Sequence, residues 1–285
     1  KKVGRYSDFA DETVLLASLL LETVLEESRS VPIFQPSLVV KMRPEALKSK
    51  ETEHALHLAH RLAAERGTPY FANLTTKEQT HVSYAATGSR FANDWTGDWE
   101  LDTLRVGSVD SVVMNLPRIA YESEGKVSKF NALLDEQLEM ALRAMEIKHQ
   151  TIKLRGREGL LPFLTHKSAG EPYARFENFS RLIGFVGLNE AVESMLGKSI
   201  HDDRRALELA EQIALYIHDG VGKSFRKPAR RPASAMVPCA SAAKRLAQLD
   251  VERYGWAKVK VKGTKDQPFY TDLVAVPLQA KVDLS

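Results

Sequence analysis

Three groups of polar side chains lie close enough in sequence to suggest chemistry. Four carboxylates could bind a divalent cation, although their spacing does not follow the calcium-loop pattern: Asp94, Asp98, Glu100 and Asp102. Ser89, His81 and Asp94 could form a nucleophilic triad, but no strand-turn-helix elbow surrounds the serine. The histidines at 54, 57 and 60 come without a cysteine or an acid that would complete a ligand set. Solvated side chains are the favoured interpretation of the carboxylates and of the histidines, the nucleophilic triad is disfavoured, and the sequence predicts no metal site.

Two further features could contact a ligand. Gly184, Gly187 and the following residues 188–190 form a strand-to-helix turn that could present backbone N–H groups to a phosphate. The pattern is not a complete dinucleotide-binding fingerprint, so a purely structural use of both glycines stays open. Trp95 and Trp99 could either pack a long loop against the protein or stack on a base.

Charge is distributed unevenly along the chain. The net charge is +3, but residues 220–265 carry +10 and the remainder carries −7. This basic region favours a polyanionic partner such as nucleic acid or a ribosome, with five candidate contact residues: Lys223, Arg226, Lys227, Arg230 and Arg231. An ordinary charged surface is the other interpretation, with Lys258 and Lys260 pointing out of a protected edge strand.

Length and composition limit the class of protein. The 285 residues are 44% hydrophobic and 27% charged, which is typical of a globular protein of one or two domains. The most apolar run, residues 14–21, is too short to cross a membrane. The single cysteine, Cys239, excludes an intramolecular disulfide and favours a reducing, cytoplasmic location. Because the first residue is Lys1, we expect a processed, truncated or partial chain.

Hydrophobic periodicity predicts an α/β fold with a mainly parallel sheet, because helices of ten or more residues alternate with short apolar strands. The predicted helices cover residues 11–28, 44–66, 129–154, 188–196, 202–218 and 241–254. The predicted strands cover residues 38–42, 70–74, 109–116, 182–186, 257–261 and 269–276. Residues 75–103 form a long polar and aromatic segment with little periodicity, and residues 223–238 form a proline-rich extended segment.

Five sequence segments together carry a family resemblance. They are Thr87-Gly88-Ser89-Arg90, residues 112–120 (VVMNLPRIA), residues 131–136 (NALLDE), residues 181–190 (RLIGFVGLNE) and residues 267–272 (QPFYTD). In order and approximate spacing they resemble the class III anaerobic ribonucleotide reductases, glycyl-radical enzymes that convert ribonucleotides to deoxyribonucleotides. The NLPRI and GLNE pieces are the most specific, since neither is a generic helix or strand pattern.

The resemblance implies part of a ten-stranded α/β barrel of the glycyl-radical enzyme type. Residues 1–285 would form a single partial barrel domain, with an N-terminal helix in residues 1–30, a finger-like loop at 75–103 and the basic region at 220–265. The finger loop would thread the barrel. Gly88, Arg90 and Asn115 would line the nucleotide site beside it.

One position departs from the family pattern. The family has a cysteine that forms a thiyl radical where this chain has Ser89, and a serine hydroxyl holds its hydrogen too tightly for that chemistry. We expect no cofactor in this chain, because the family's second active-site cysteine, cysteine-rich zinc site and glycyl-radical segment have no counterpart in it. Cys239 lies where the family has no catalytic element, and we expect it to be packed as a small apolar residue.

Two hypotheses from different functional classes follow. The first is a relative of anaerobic ribonucleotide reductase that is a fragment, a split subunit or a radical-incompetent variant and is inactive alone. It would bind a nucleotide, and it would pair with a complementary chain or another copy because a partial barrel exposes sheet edges. The alternative is a non-catalytic reductase-like protein that binds nucleic acid or a ribosome through residues 220–265.

Overall fold

The computed structural model describes residues 6–75, 83–85, 87–91, 105–168, 170–223, 231–272, 277, 280 and 281. The chain divides into two compact units, residues 1–88 and residues 89–285. We call them the N-terminal unit and the C-terminal unit. The expectation of a single partial barrel domain stays a prediction.

The N-terminal unit consists of helices around a pair of parallel strands. Its elements are a 3-10 turn Tyr6–Phe9, α1 Ala10–Glu27, β1 Val39–Met42, α2 Pro44–Lys48, α3 Glu53–Arg66 and β2 Tyr70–Asn73. Strands β1 and β2 pair in register from Val39 opposite Tyr70 to Met42 opposite Asn73. The buried faces of α1 and α3 form the core of this unit: Leu21, Val24, Leu25, Ala59 and Leu62.

The C-terminal unit contains the larger sheet. Its strands are β3 Ser108–Asn115, β4 Lys167–Ser168, β5 Glu171–Pro172, β6 Ser180–Val186, β7 Arg231–Ser234, β8 Lys262–Gly263 and β9 Pro268–Phe269. Its helices are α4 Leu116–Ser123, α5 Val127–Arg157, α6 Pro162–Thr165, α7 Leu188–Leu196, α8 Arg204–Lys223 and α9 Ala240–Tyr254, with a 3-10 turn at Phe176–Asn178.

The sheet of this unit is parallel, with the order β3-β6-β7. The central strand β6 is buried along almost its whole length, as expected for a parallel strand with neighbours on both sides. Helices α5, α7 and α8 pack around Met114 and Ile183 in one core cluster. A second cluster joins α9 to Val186 and Tyr270. The α/β class with parallel strands is therefore confirmed, and the described strands do not close a ten-stranded barrel.

Three predicted elements were wrong in extent. The helix expected over residues 44–66 is two helices, because Ser49 is extended and the Thr52 hydroxyl donates to the Ser49 carbonyl at 3.0 Å. No strand forms over residues 257–261, because α9 ends at Tyr254 and the chain turns at once after it, so that the Lys258 N–H donates to the Gly255 carbonyl. Of the described residues 269–272 in the last predicted strand, only Phe269 is in a strand, Pro268–Phe269, since the Thr271 N–H bonds to a side chain instead; residues 273–276 lie outside the described residues.

Helix α4 was not predicted at all, although its start signals are present in the sequence. Asn115 is the N-cap residue and its side-chain oxygen accepts a hydrogen bond from the Arg118 N–H. Pro117 lies in the first turn, where its missing N–H leaves no bond unmade. Within the part of the chain that the structure describes, no helix has the length and apolar character needed to span a membrane.

Candidate functional site

Asn115 stands at the carboxyl end of β3, where parallel α/β sheets usually bind their ligands. Its Oδ1 accepts from the Arg118 N–H at 3.2 Å, and its Nδ2 donates to Asp250 at 2.7 Å. The strand therefore places the Asn115 amide at the carboxyl end of the sheet, and two hydrogen bonds fix the plane of the amide.

Asp250 connects the side chains at the carboxyl end of β3 by accepting their hydrogen bonds. It lies in the last part of α9, is fully buried, and accepts from Asn115, Arg118 and Tyr270. The Arg118 guanidinium binds it through Nε and Nη2, both at 2.6 Å. The Tyr270 hydroxyl donates to it at 2.8 Å. The negative charge is thus compensated by one cation and two neutral donors, as a buried carboxylate requires.

Two tyrosines extend the network below Asp250. The hydroxyls of Tyr270 and Tyr121 lie 3.5 Å apart, and the Tyr121 hydroxyl accepts from the Lys260 N–H at 2.9 Å. Burial raises the pKa of both phenols well above the usual value. Both hydroxyls therefore remain protonated at any physiological pH and serve as neutral, fixed hydrogen-bond partners.

A cleft of about 320 Å³ opens beside Asn115 and Arg118. Its apolar walls come from β3, α4, α5 and α9: Val112, Ile119, Leu133, Met140, Ala141 and Leu246. The size and the combination of apolar walls with few polar groups are typical of small-molecule sites. Arg118 keeps 29% of its side chain exposed, and its Nη1 has no partner among the described residues.

The turn after β6 is occupied by the protein itself. The Gly187 N–H donates to the Thr271 carbonyl at 2.9 Å. The Glu190 carboxylate, fully buried, accepts from the Thr271 N–H and hydroxyl at 3.1 and 2.5 Å. Burial raises the pKa of Glu190, and the bonds from Thr271 oppose that rise. The structural interpretation of this glycine turn accounts for these contacts, and an internal carboxylate stands where a phosphate was considered.

Cys239 is the N-cap residue of α9 and is hydrogen-bonded to a third acid, Asp272. Its N–H donates to the Asp272 carboxylate at 3.0 Å and its thiol donates to the same group at 3.1 Å. Burial first and this hydrogen bond second raise the pKa of the thiol to about 12. Cys239 is therefore a buried, protonated thiol within the second core cluster.

Ser89 is also buried, and its hydroxyl donates to the Met236 carbonyl at 3.1 Å. Gly88 has φ +79°, and a Cβ added to it would lie 2.9 Å from the Tyr70 ring. Arg90 is half-buried. Of the predicted site residues that the structure describes in the C-terminal unit, only Asn115 lines the cleft. The other residues considered in this loop lie outside the described residues: His81, Asp94, Trp95, Asp98, Trp99, Glu100 and Asp102.

The basic region is described only in part. Lys223 is exposed at the end of α8 and Arg231 begins β7, whereas Arg226, Lys227 and Arg230 lie outside the described residues. Two other cations of the region pair with acids, Arg253 with Glu122 at 3.3 Å and Lys262 with Glu193 at 3.1 Å. These pairs belong to an ordinary charged surface, and the polyanion interpretation stays untested.

The histidines at 54, 57 and 60 are exposed, as expected, and two of them lie near acids. His54 is 3.3 Å from Glu22, and His57 is 3.9 Å from Glu53. Among the residues with described positions, no group of three or more histidine, cysteine or acidic side chains could hold a metal ion.

Sequence reasoning missed Asp250. Its signal is present, because an acid follows Ala243 and Ala247 on the buried face of α9 at helical spacing. Its partners Asn115 and Arg118 lie 135 and 132 residues away along the chain, so the pattern indicates an unusual acid without indicating what it binds.

Comparison with known families matches residues 2–285 to the anaerobic ribonucleoside-triphosphate reductases. The chain belongs to this family. No curated protein matches it in sequence. The family assignment agrees with the resemblance carried by the NLPRI and GLNE segments.

Solved anaerobic ribonucleotide reductases of Thermotoga maritima share the fold. The structure with citrate in the active site has TM-score 0.74 at 20% identity, covering 99% of this chain and 50% of that chain. The structure in complex with dATP and CTP has TM-score 0.74 at 20% identity, covering 97% of this chain and 43% of that chain. The structure with glycerol in the active site has 26% identity and TM-score 0.54, covering 64% and 29%. The chain thus spans at most half the length of these relatives.

Proposed function

We propose that this chain is the nucleotide-holding part of an anaerobic ribonucleotide reductase barrel and does not itself start the radical reaction. The observation that carries the proposal is the convergence of Asn115 and Arg118 on one cleft at the carboxyl end of β3. A related reductase has been crystallised with dATP and CTP, which supports a nucleotide as the ligand.

The side chains around the cleft suit the parts of a nucleotide. The Arg118 guanidinium has Nη1 available for a phosphate oxygen, which is a favoured charge-assisted hydrogen bond. The Asn115 amide retains a second N–H and a second lone pair for sugar hydroxyls. The apolar walls formed by Leu133, Met140 and Leu246 offer a surface for a base.

Radical chemistry needs a hydrogen donor that the finger position does not provide. An alcohol O–H bond is stronger than a thiol S–H bond, so Ser89 is not converted to a radical under conditions that oxidise a cysteine. The single cysteine is no substitute, because the Cys239 thiol is buried and bonded to Asp272. One cysteine among the 285 residues also cannot form a cysteine-rich zinc site.

Titration calorimetry with CTP tests the proposal. The wild-type chain is expected to bind CTP, and Asn115→Ala is expected to weaken binding about tenfold, which corresponds to the loss of one or two hydrogen bonds. Gln150→Ala is the control, because Gln150 is exposed on α5 and, among residues with described positions, its side chain bonds only to Glu146. Absence of CTP binding by the wild type, or equal effects of both substitutions, would contradict the proposed site.

An anaerobic assay tests the radical part of the proposal. With a radical activase and either formate or a thiol as reductant, we expect no deoxynucleotide from the wild-type chain. Ser89→Cys alone is also expected to remain inactive, because it restores the thiol without the glycyl radical that must oxidise it. Deoxynucleotide production by the wild type would overturn the proposed role of Ser89.

We further propose that the chain assembles with a complementary chain or with a second copy. Among the described residues, β3 and β7 each pair with β6 alone, which leaves one side of each strand without a neighbour. Unpaired strand edges favour association. Light scattering is expected to give a mass above 31.8 kDa for the isolated chain or for its complex, whereas a monomer under both conditions would contradict assembly.

A further inference from the structure

Asp250 contacts both side chains that are proposed to hold the nucleotide. It is fully buried on α9, and its carboxylate lies 2.7 Å from Asn115 Nδ2 and 2.6 Å from Arg118 Nε. Neither hydrogen bond is required to build α9, because Asn115 and Arg118 lie on a strand end and a different helix. The contact therefore links the nucleotide cleft to a helix that contributes only Leu246 to its wall.

The Asp250 carboxylate is not accessible to a ligand, because it is fully buried. It accepts hydrogen bonds from the Asn115 amide, from Arg118 Nε and from the Tyr270 hydroxyl. Arg118 Nη2 lies 2.6 Å from the oxygen that Nε also contacts. Any effect of Asp250 on nucleotide binding must therefore act through Asn115 and Arg118.

The two bonds of Asn115 select one orientation of its amide. Its oxygen faces the Arg118 N–H, and its nitrogen faces Asp250. A rotated amide would bring its oxygen against the carboxylate and its nitrogen against a backbone donor, so both bonds would become repulsive. The remaining N–H and the remaining lone pair are consequently presented in a fixed arrangement beside the cleft.

We propose that Asp250 is a positioning residue that sets the preference of the cleft for ribose over 2′-deoxyribose. An amide held in one orientation can donate to one hydroxyl of a vicinal diol and accept from the other. A 2′-deoxyribose offers only one of these two hydroxyls. The inference rests on the proposed nucleotide site and adds the basis of its sugar specificity.

A purely structural role for Asp250 makes a different prediction. Asp250 also bonds the buried Tyr270, so its replacement lowers stability in either case. If Asp250 only stabilised the fold, its replacement would weaken the binding of ribonucleotides and deoxyribonucleotides by the same factor. A positioning role changes the ratio of the two affinities, because only the ribonucleotide uses both hydrogen bonds.

The test is the ratio of CTP to dCTP affinity, measured by calorimetry on the full chain. We expect a wild-type preference for CTP of about tenfold. Asp250→Asn is expected to reduce this ratio toward one, as is Asn115→Ala. The double variant is expected to show no further loss beyond Asn115→Ala alone, because both substitutions remove the same fixed amide.

Glu190→Gln is the matched control. Glu190 is also fully buried and is bonded to Thr271, but no hydrogen bond joins it to Asn115 or Arg118. Its replacement should change thermal stability and leave the affinity ratio unchanged. If Asp250→Asn does not fold, Asp250→Glu takes its place, since it keeps the charge and displaces the carboxylate by one methylene.

The outcomes separate this inference from the proposed function. A wild type that binds neither nucleotide overturns both. A wild type that prefers CTP, with an unchanged ratio in the Asp250 variant, overturns the positioning role and leaves the nucleotide site standing. A ratio that falls in the Asp250 variant and holds in Glu190→Gln supports the inference.

Discussion

Replacing Gly187 with alanine tests how tightly the end of β6 is packed. Gly187 has φ +72°, a left-handed conformation that costs a residue with a side chain about 1 kcal/mol. A Cβ at this position would also lie 2.7 Å from the Cδ of Pro117 and closer still to its Cγ. Because the proline ring is held at the start of α4, it cannot easily move aside. Such overpacking adds about 1–3 kcal/mol.

Gly197 provides the control for this substitution at the other end of the same helix. It has φ +69°, and an added Cβ would have no heavy atom within 4 Å. Gly197→Ala should therefore show only the backbone strain, about 1 kcal/mol. Gly187→Ala should lower the free energy of unfolding by about 2–4 kcal/mol.

Urea denaturation followed by far-ultraviolet circular dichroism measures both variants. At equal slopes, the difference in midpoints gives the difference in the free energy of unfolding. Equal losses for the two variants would refute the close contact of Gly187 with Pro117. A loss at Gly197 with none at Gly187 would refute the assignment of the helix ends as well.

Two further predictions concern titratable groups in the C-terminal unit. Burial, and then the charge of the adjacent Arg181, lower the pKa of His149, while the hydrogen bond of His149 to the Phe176 carbonyl opposes this shift. The free energy of unfolding should therefore have its full value above pH 6.5, the ordinary pKa of histidine, and should decrease as the pH falls below 6.5. Urea midpoints between pH 7 and 5 measure this, and His149→Gln should flatten the profile; an unchanged slope contradicts it. With a pKa raised to about 12, native Cys239 should react with iodoacetamide at pH 8 at least about 100-fold more slowly than in urea, which mass spectrometry follows. Equal rates would show an accessible thiolate.

The sequence predicted best where local rules decide the structure. Helix α7 has the predicted bounds, Leu188–Leu196, because a left-handed glycine stands at each end, Gly187 and Gly197. The break between α2 and α3 was missed, since it depends on side-chain bonds of Thr52 that helical periodicity does not contain. Local pattern therefore specifies elements better than their interruptions.

The candidate site was predictable only at one of its members. Asn115 stood out because the NLPRI segment matches the family, and the structure gives that asparagine a second role as the cap of α4. Asp250 joins it through a contact between residues 135 positions apart, and Tyr270 is connected to it only through Asp250. No pattern within one helix or strand encodes such a partnership, which exists only once the sheet and α9 have packed.

The same distant contacts bear on how the protein is made. Asn115 and Asp250 are 135 residues apart, Tyr121 and Lys260 are 139 apart, and Glu190 and Thr271 are 81 apart. Contacts of such separation slow folding, because the intervening chain must be ordered before they form. During synthesis, the contacts of Glu190 with Thr271 and of the start of α9 with Asp272 can form only after residues 271 and 272 have left the ribosome. Until then a carboxylate destined for burial lacks its donors, so the nascent unit stays open to proteases and chaperones over most of its translation.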